Sequence, residues 1–240
     1  MSMRKILKEW RKFKLTEGQH SPDVAYGDDL EPNLSLHHVE EDEDHYIILY
    51  RKQKYVDAFY IVGYASVDLL TDTGDKRFNC IPKTYQVGAI YVEPELQGKG
   101  FGQLLYDLAF AAIGDDAGLT SDKYSGTQAA AKRKWKKMEN SPEYEKRKTQ
   151  MKNDEFDYDG KKTPDDPEDD CGTAMDLGDT NATDHSLKKK GNSDGVSKLN
   201  AFKAQHQQND FLNRDDVENK LLNKAVWRFG EIYSQMTNYN

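Results

Sequence analysis

Cysteine is almost absent from this 240-residue chain. Cys80 and Cys171 are the only two. Far apart and unpaired in spacing, they exclude a disulfide framework and a paired-thiolate metal site, and they suit a reducing compartment. No apolar run approaches the roughly 18–20 residues of a transmembrane helix. The N-terminus, MSMRKILKEWRKFK, is basic but has no uninterrupted apolar core and no small-residue cleavage site, so no secretion signal is expected. Basic residues are in deficit as well. Lys and Arg total 34 against 42 Asp and Glu, a formal net charge of -8, which disfavours unassisted binding to nucleic acid or to anionic membranes. The expectation is a soluble, cytoplasmic protein with neither a membrane nor a nucleic acid as partner.

Apolar residues are scarce in one window and dense in another. From Tyr85 to Ile113, 17 of 29 residues are apolar; from Lys152 to Asn200, only 10 of 49 are. The second window cannot bury enough surface to offset its ordering entropy unaided. It is expected to be a charged excursion that the core can do without. The length fits one large domain, or one domain with extensions, and no internal repeat is visible.

Periodicity places the elements. Residues 3–15 put Met3, Leu7 and Trp10 on one side, with Ile6 and Phe13 adjoining, as in a short amphipathic helix docked on the domain or lying on a membrane surface. Residues 16–44 read as loop, their EEDED run a solvated approach to a strand. HYIILYR (45–51), AFYIVGYASVDLL (58–70) and YQVGAIYVE (85–93) are rich in β-branched and aromatic residues and read as strands. Pro94 ends the third, because proline cannot donate to a sheet ladder. Residues 102–113 have helical spacing, GLTSD (118–122) reads as a short strand, and 127–139 as a helix with Ala131, Trp135 and Met138 inward. Residues 215–236 carry the strongest helical periodicity, from Val217 through Leu221, Leu222, Ala225 and Val226 to Met236. The three tryptophans all fall on helices and are expected in the core.

The informative stretch is GAIYVEPELQGKGFGQLLYDLAFAAI. A strand ends at Val92, a proline turn follows, and a glycine-spaced loop feeds an apolar helix. Gly98, Gly100 and Gly102 let the backbone take angles closed to other residues and approach a ligand closely. The first amides of the helix are donors without helical acceptors, and the dipole adds partial positive charge, so the loop could cradle a pyrophosphate. It is neither a P-loop nor a dinucleotide fingerprint, since no Gly-Lys-Ser/Thr closes it and GxGxxG is absent. The plain alternative is a structural turn.

The stretch IYVEPELQGKGFGQLLYDLA resembles motif A of the GNAT acyltransferases, Arg/Gln-x-x-Gly-x-Gly/Ala, with Gln97, Gly100 and Gly102 at the defined positions. Gln128, Ala131 and Trp135 match the spacing of the family's later Asn-x-x-Ala-x-x-x-Tyr helix. The resemblance covers residues 45–140 and is absent from 141 onward. It implies an α/β (α+β) fold, a mixed β-sheet splayed beside the loop and flanked by helices, with acetyl-CoA as cosubstrate in the cleft. Gly98, Lys99, Gly100, Phe101 and Gly102, with Gln97 and Gln128, would hold the cofactor. Backbone groups of Ile90, Tyr91 and Val92 would pair with the pantetheine arm, and an amide near Val92 would polarise the thioester carbonyl.

The chain departs from the family at Trp135, which stands where the usual tyrosine reprotonates the leaving thiolate; an indole does not serve that purpose. Tyr124 is the nearest substitute, with Ser125 behind it. A general base to deprotonate the acceptor amine is drawn from Glu93, Asp122 and Asp68, each beside an expected strand end. The resulting expectation is an acetyl-CoA-dependent N-acyltransferase acting on an amine of a protein or small molecule. The alternative is a non-catalytic interaction or virion-associated protein that kept the fold. The LTSD and AAAKRKW context also resembles acetyltransferase-like proteins of tailed bacteriophages, which would place the chain in a host cytoplasm with a host or phage protein partner.

No metal is expected. Glu155, Asp157, Asp159 and Asp166 loosely echo a calcium loop, but Lys162 and Pro164 break it. Cys171 and His185 lack paired spacing. The basic run KRKWKK (132–137) is expected to be neutralised by the acidic tract at 154–170. The expected organisation is an N-terminal helix (1–15), an acyl-CoA-binding domain (16–140), a charged, largely irregular excursion (141–211), and a C-terminal helix (212–240) packed back on the domain.

Overall fold

The computed structural model describes residues 34–52, 59–72, 81, 83–122, 127, 129–148, 183, 185–207 and 221–228. The expected helix at 1–15, Tyr124, Gln128 and the calcium-like stretch at 155–166 lie outside them.

Strand β1 (Leu34–Glu41) folds back on β2 (Asp44–Lys52), and β3 (Phe59–Asp72) and β4 (Lys83–Val92) extend the antiparallel meander. A 3₁₀ turn (Pro94–Leu96) leads to helix α1 (Phe101–Ile113), which returns the chain to β5 (Gly118–Thr120), parallel to β4. Helix α2 (Ala129–Glu139), strands β6 (Tyr144–Lys148) and β7 (His185–Lys189), helix α3 (Ser193–Gln207) and a helical segment at 221–228, α4, follow. The sheet order is β1-β2-β3-β4-β5-β7-β6, antiparallel at every step but β4–β5.

That step opens the sheet. Strand β4 pairs with β5 through Thr84, Tyr85 and Gln86, whereas β3 runs alongside β4 to Val92. From Val87 to Val92, β4 therefore has no second strand partner among the described residues. This is the mixed sheet, opened beside the glycine loop, that the resemblance implied.

Alternation along the strands divides the core. On one face Val62, Ala65, Val67, Val87, Ile90 and Val92 pack under α1, joined by Trp135 of α2 and Leu199 of α3. On the other, Tyr46, Tyr50, Tyr64 and Tyr91 lie with Leu221, Leu222, Ala225 and Val226 of α4. Among the described residues no helix is long and apolar enough to cross a membrane.

Three expectations are corrected. Residues 34–41, read as loop, form a strand, because Leu34 and Leu36 alternate into the core. The stretch 152–200 was expected to be dispensable to the core, yet its described residues include β7 and the start of α3. Strand β7 lies between β5 and β6, Leu187 is fully buried, and the Ser186 hydroxyl sits 3.0 Å from that of Thr84. Composition averaged over a long window conceals a five-residue strand. Finally, Trp135 is core but Trp227 is 60% exposed, since α4 buries its opposite face.

The β1–β2 turn makes a first prediction. Asp42 and Glu43 have φ of 51° and 67°, the signature of a two-residue turn that favours Asn-Gly. Asp42→Asn/Glu43→Gly is expected to raise stability by about 0.5–1 kcal/mol by relieving left-handed strain. The exposed Glu43–Lys83 pair it sacrifices, 2.7 Å long, contributes little. A lower urea midpoint for the variant would contradict this.

Candidate functional site

The end of β4 and the start of α1 are built as one unit. Glu93 continues the sheet, its amide donating to the Val62 carbonyl at 3.0 Å, and its own carbonyl accepts from the Leu96 amide at 2.8 Å as the chain turns. Gln97 reaches back so that its Nε2 donates to the Val92 carbonyl at 3.1 Å. The family position Gln97 thus ties the glycine loop to the strand it follows.

Gly98 and Gly100 have φ of 74° and 86°, so both require the left-handed freedom that the sequence suggested. Gly100 precedes α1 without any side-chain cap, and the first helical bond runs from the Leu104 amide to the Gly100 carbonyl at 3.1 Å. The amides of Phe101, Gly102 and Gln103 meet no acceptor among the described residues. These open donors at the positive end of a 13-residue helix suit an anionic group such as a pyrophosphate. The residues present fit the CoA cosubstrate that the resemblance implied.

The strand edge leading to this cradle carries Ile90, Tyr91 and Val92. Ile90 and Val92 are anchored under α1, and Tyr91 faces α4. A register shift in the β3–β4 ladder pairs Ser66 with Ala89 and Val67 with Val87, leaving Gly88 as a bulge two residues beyond the last β5 partner of β4. A Cβ at Gly88 would lie 2.1 Å from Asp68 Oδ2 and 3.1 Å from Ser66 Oγ. Glycine is therefore needed here for the carboxyl of Asp68 to lie against the β4 backbone where the sheet opens.

The other expected acid–base groups among the described residues are buried. Glu93 is 2% exposed, and Arg228 of α4 holds both of its oxygens, with Nε–Oε1 2.9 Å and Nη2–Oε2 3.1 Å. Burial pushes the Tyr91 phenol far above its ordinary range, and the neighbouring Glu93 carboxylate adds to the shift. Tyr60 donates to Glu95. Burial, followed by that bond, raises Tyr60 to about 12, and the same bond lowers Glu95. Asp122 is buried just past β5. Trp135 is 1% exposed and meets Tyr106 edge-on at 5.6 Å, a core side chain that joins α2 to α1.

On the outer side of α1, Asp107 Oδ1 accepts from Gln103 at 2.8 Å and from Lys189 Nζ at 2.6 Å, and Lys134 donates to Gln103. Helix α1 is thereby tied to α2 and β7. The described structure unites Ile90–Val92 with Gln97–Gly102 and adds two residues that sequence reasoning missed. A lone glycine inside a strand pattern was a legible bulge signal for Gly88. Arg228 carried none.

Comparison with known proteins agrees with this geometry. No curated protein and no solved structure gives a match. Residues 4–131, more than half of the chain, match the Acetyltransferase (GNAT) family, a family that generally uses acetyl-CoA. The chain belongs to the GNAT acetyltransferase family.

Proposed function

We propose that the protein is an acetyl-CoA-dependent N-acyltransferase that moves an acetyl group to an amine of a protein or small molecule. The observation that carries this reading is the set of amides at Phe101, Gly102 and Gln103, behind two left-handed glycines, which among the described residues are open and end a strand edge with no second partner. Bound acetyl-CoA would supply an activated thioester acyl group.

The chain's own residues have distinct tasks in this reading. The amides of Gly98–Gly102 bind the pyrophosphate, and the β4 edge at Ile90, Tyr91 and Val92 orients the pantetheine arm. Asp68, buried against the Gly88 bulge, is the proposed base that takes the proton of the acceptor ammonium on Oδ2. Glu93 is committed instead to its ion pair with Arg228. Tyr124 is the proposed donor to the departing thiolate.

Calorimetric titration with CoA and acetyl-CoA tests the reading, which predicts one site per chain. Absence of binding by the folded protein would overturn it. Asp68→Asn, which preserves the shape beside Gly88, is expected to lower kcat by about 10²–10⁴-fold, the range for general acid–base groups, with CoA affinity nearly unchanged. Wild-type turnover in that variant would remove Asp68 from the base role.

A further inference from the structure

The family match ends at residue 131, yet a residue 97 positions later reaches the end of β4. Helix α4 seats Leu221, Leu222, Ala225 and Val226 on the sheet face opposite α1, against tyrosines that include Tyr91. This places Arg228 beside Glu93, and the guanidinium engages the carboxylate side-on through Nε and Nη2. Two parallel bonds fix the plane of both groups.

We propose that Arg228 is a positioning residue for the cofactor-binding edge: through Glu93 it sets the turn that joins β4 to the glycine loop. The inference rests on the reading that this edge and loop hold acetyl-CoA.

Glu93 is the pivot of that turn. Its amide belongs to the sheet, its carbonyl to the 3₁₀ turn, and the preceding carbonyl, that of Val92, is held by Gln97. The direction of its side chain therefore governs the rotation of residues 92–97, and with it the aim of the amides that follow. Without Arg228, Glu93 would be a buried carboxylate beside the Tyr91 phenol, with Glu95 close by. An uncompensated buried charge is costly, and the side chain would turn toward water and take the backbone with it. The described end of α4 thus belongs to the machinery of the site, 135 residues from the glutamate it holds.

Two variants test this. Arg228→Met keeps the aliphatic bulk and removes the charge; Arg228→Met/Glu93→Gln then neutralises the partner. Amide hydrogen exchange is followed in the ligand-free protein, and CoA affinity by calorimetry. In Arg228→Met, residues 93–104 should exchange at least about tenfold faster and CoA should bind at least about tenfold more weakly, as expected when a buried charge loses its partner. The double variant should recover most of both losses, because no unpaired charge remains. Wild-type exchange and affinity in Arg228→Met would overturn the proposal. So would a double variant as impaired as the single one, since the defect would then lie in the seating of α4 rather than in the turn. Should the wild-type protein fail to bind CoA, the acyltransferase reading falls while the exchange of residues 93–104 still decides the role of Arg228.

Discussion

Gly100→Glu is expected to weaken CoA binding by about 100-fold or more, the loss of at least one charge-assisted hydrogen bond together with repulsion from the new carboxylate. Gly100 stands at φ 86° immediately before α1, so the variant first incurs the strain of a side chain in the left-handed region. The new carboxylate would then compete for the amides of Phe101, Gly102 and Gln103, which are open donors among the described residues. It would also place negative charge where the proposed site would receive a phosphate. Gly100→Ala separates the two effects, since it shares the strain without the charge and should lose much less affinity. Thermal melting establishes that both variants fold. A folded Gly100→Glu that binds CoA as well as the wild type would remove the loop from the cofactor site.

Trp135→Ala is expected to cost about 3–5 kcal/mol of folding stability, the usual range for truncating a large buried aromatic. The indole is 1% exposed and packs edge-on against Tyr106 at 84°, joining α2 to α1. Beside the roughly 5–15 kcal/mol that hold a typical domain together, such a loss is severe. Because α1 carries the open amides at its start, CoA binding should fall with the folded fraction and return at low temperature or on addition of excess ligand. An unchanged urea midpoint would mean that the helix pair does not depend on this residue.

The acid limb of stability has a defined contributor. Burial raises the Glu139 carboxyl, but hydrogen bonds from His185 and Thr183 outweigh it, so its affinity for a proton is lowered on folding. A lowered carboxylate contributes stability above its unfolded value and loses that contribution as the pH falls through the folded value. Glu139→Gln should therefore flatten the decline in stability below about pH 4.5, the carboxylate's ordinary range.

Strands β2, β3 and β4 were legible because each buries enough β-branched and aromatic side chains to imprint its own pattern. Helix α1 was legible from its leucine and alanine spacing. The glycine loop was legible because glycine has few reasons to recur at alternate positions between a strand and a helix. Strands β6 and β7 were not. YEKRK and HSLKK each offer few apolar side chains, chiefly Tyr144 and Leu187, and their place in the sheet depends on partners far along the chain. Trp135 was legible as a core residue from the helical spacing it shares with Ala131 and Met138, and it is buried.

That a sheet would meet an apolar helix through a glycine turn was written in local preferences, which act within a few residues. Tertiary structure alone decided which carboxylates stand where. Asp68 lies buried against Gly88 because β3 and β4 slip by one residue there. Glu93 is held because α4 folds across the opposite face and delivers Arg228 to it. A side-chain pair separated by 135 residues leaves no trace in local periodicity. It forms only when burial of the tyrosine-lined face brings α4 to the end of β4, and an ion pair of that kind is a consequence of packing.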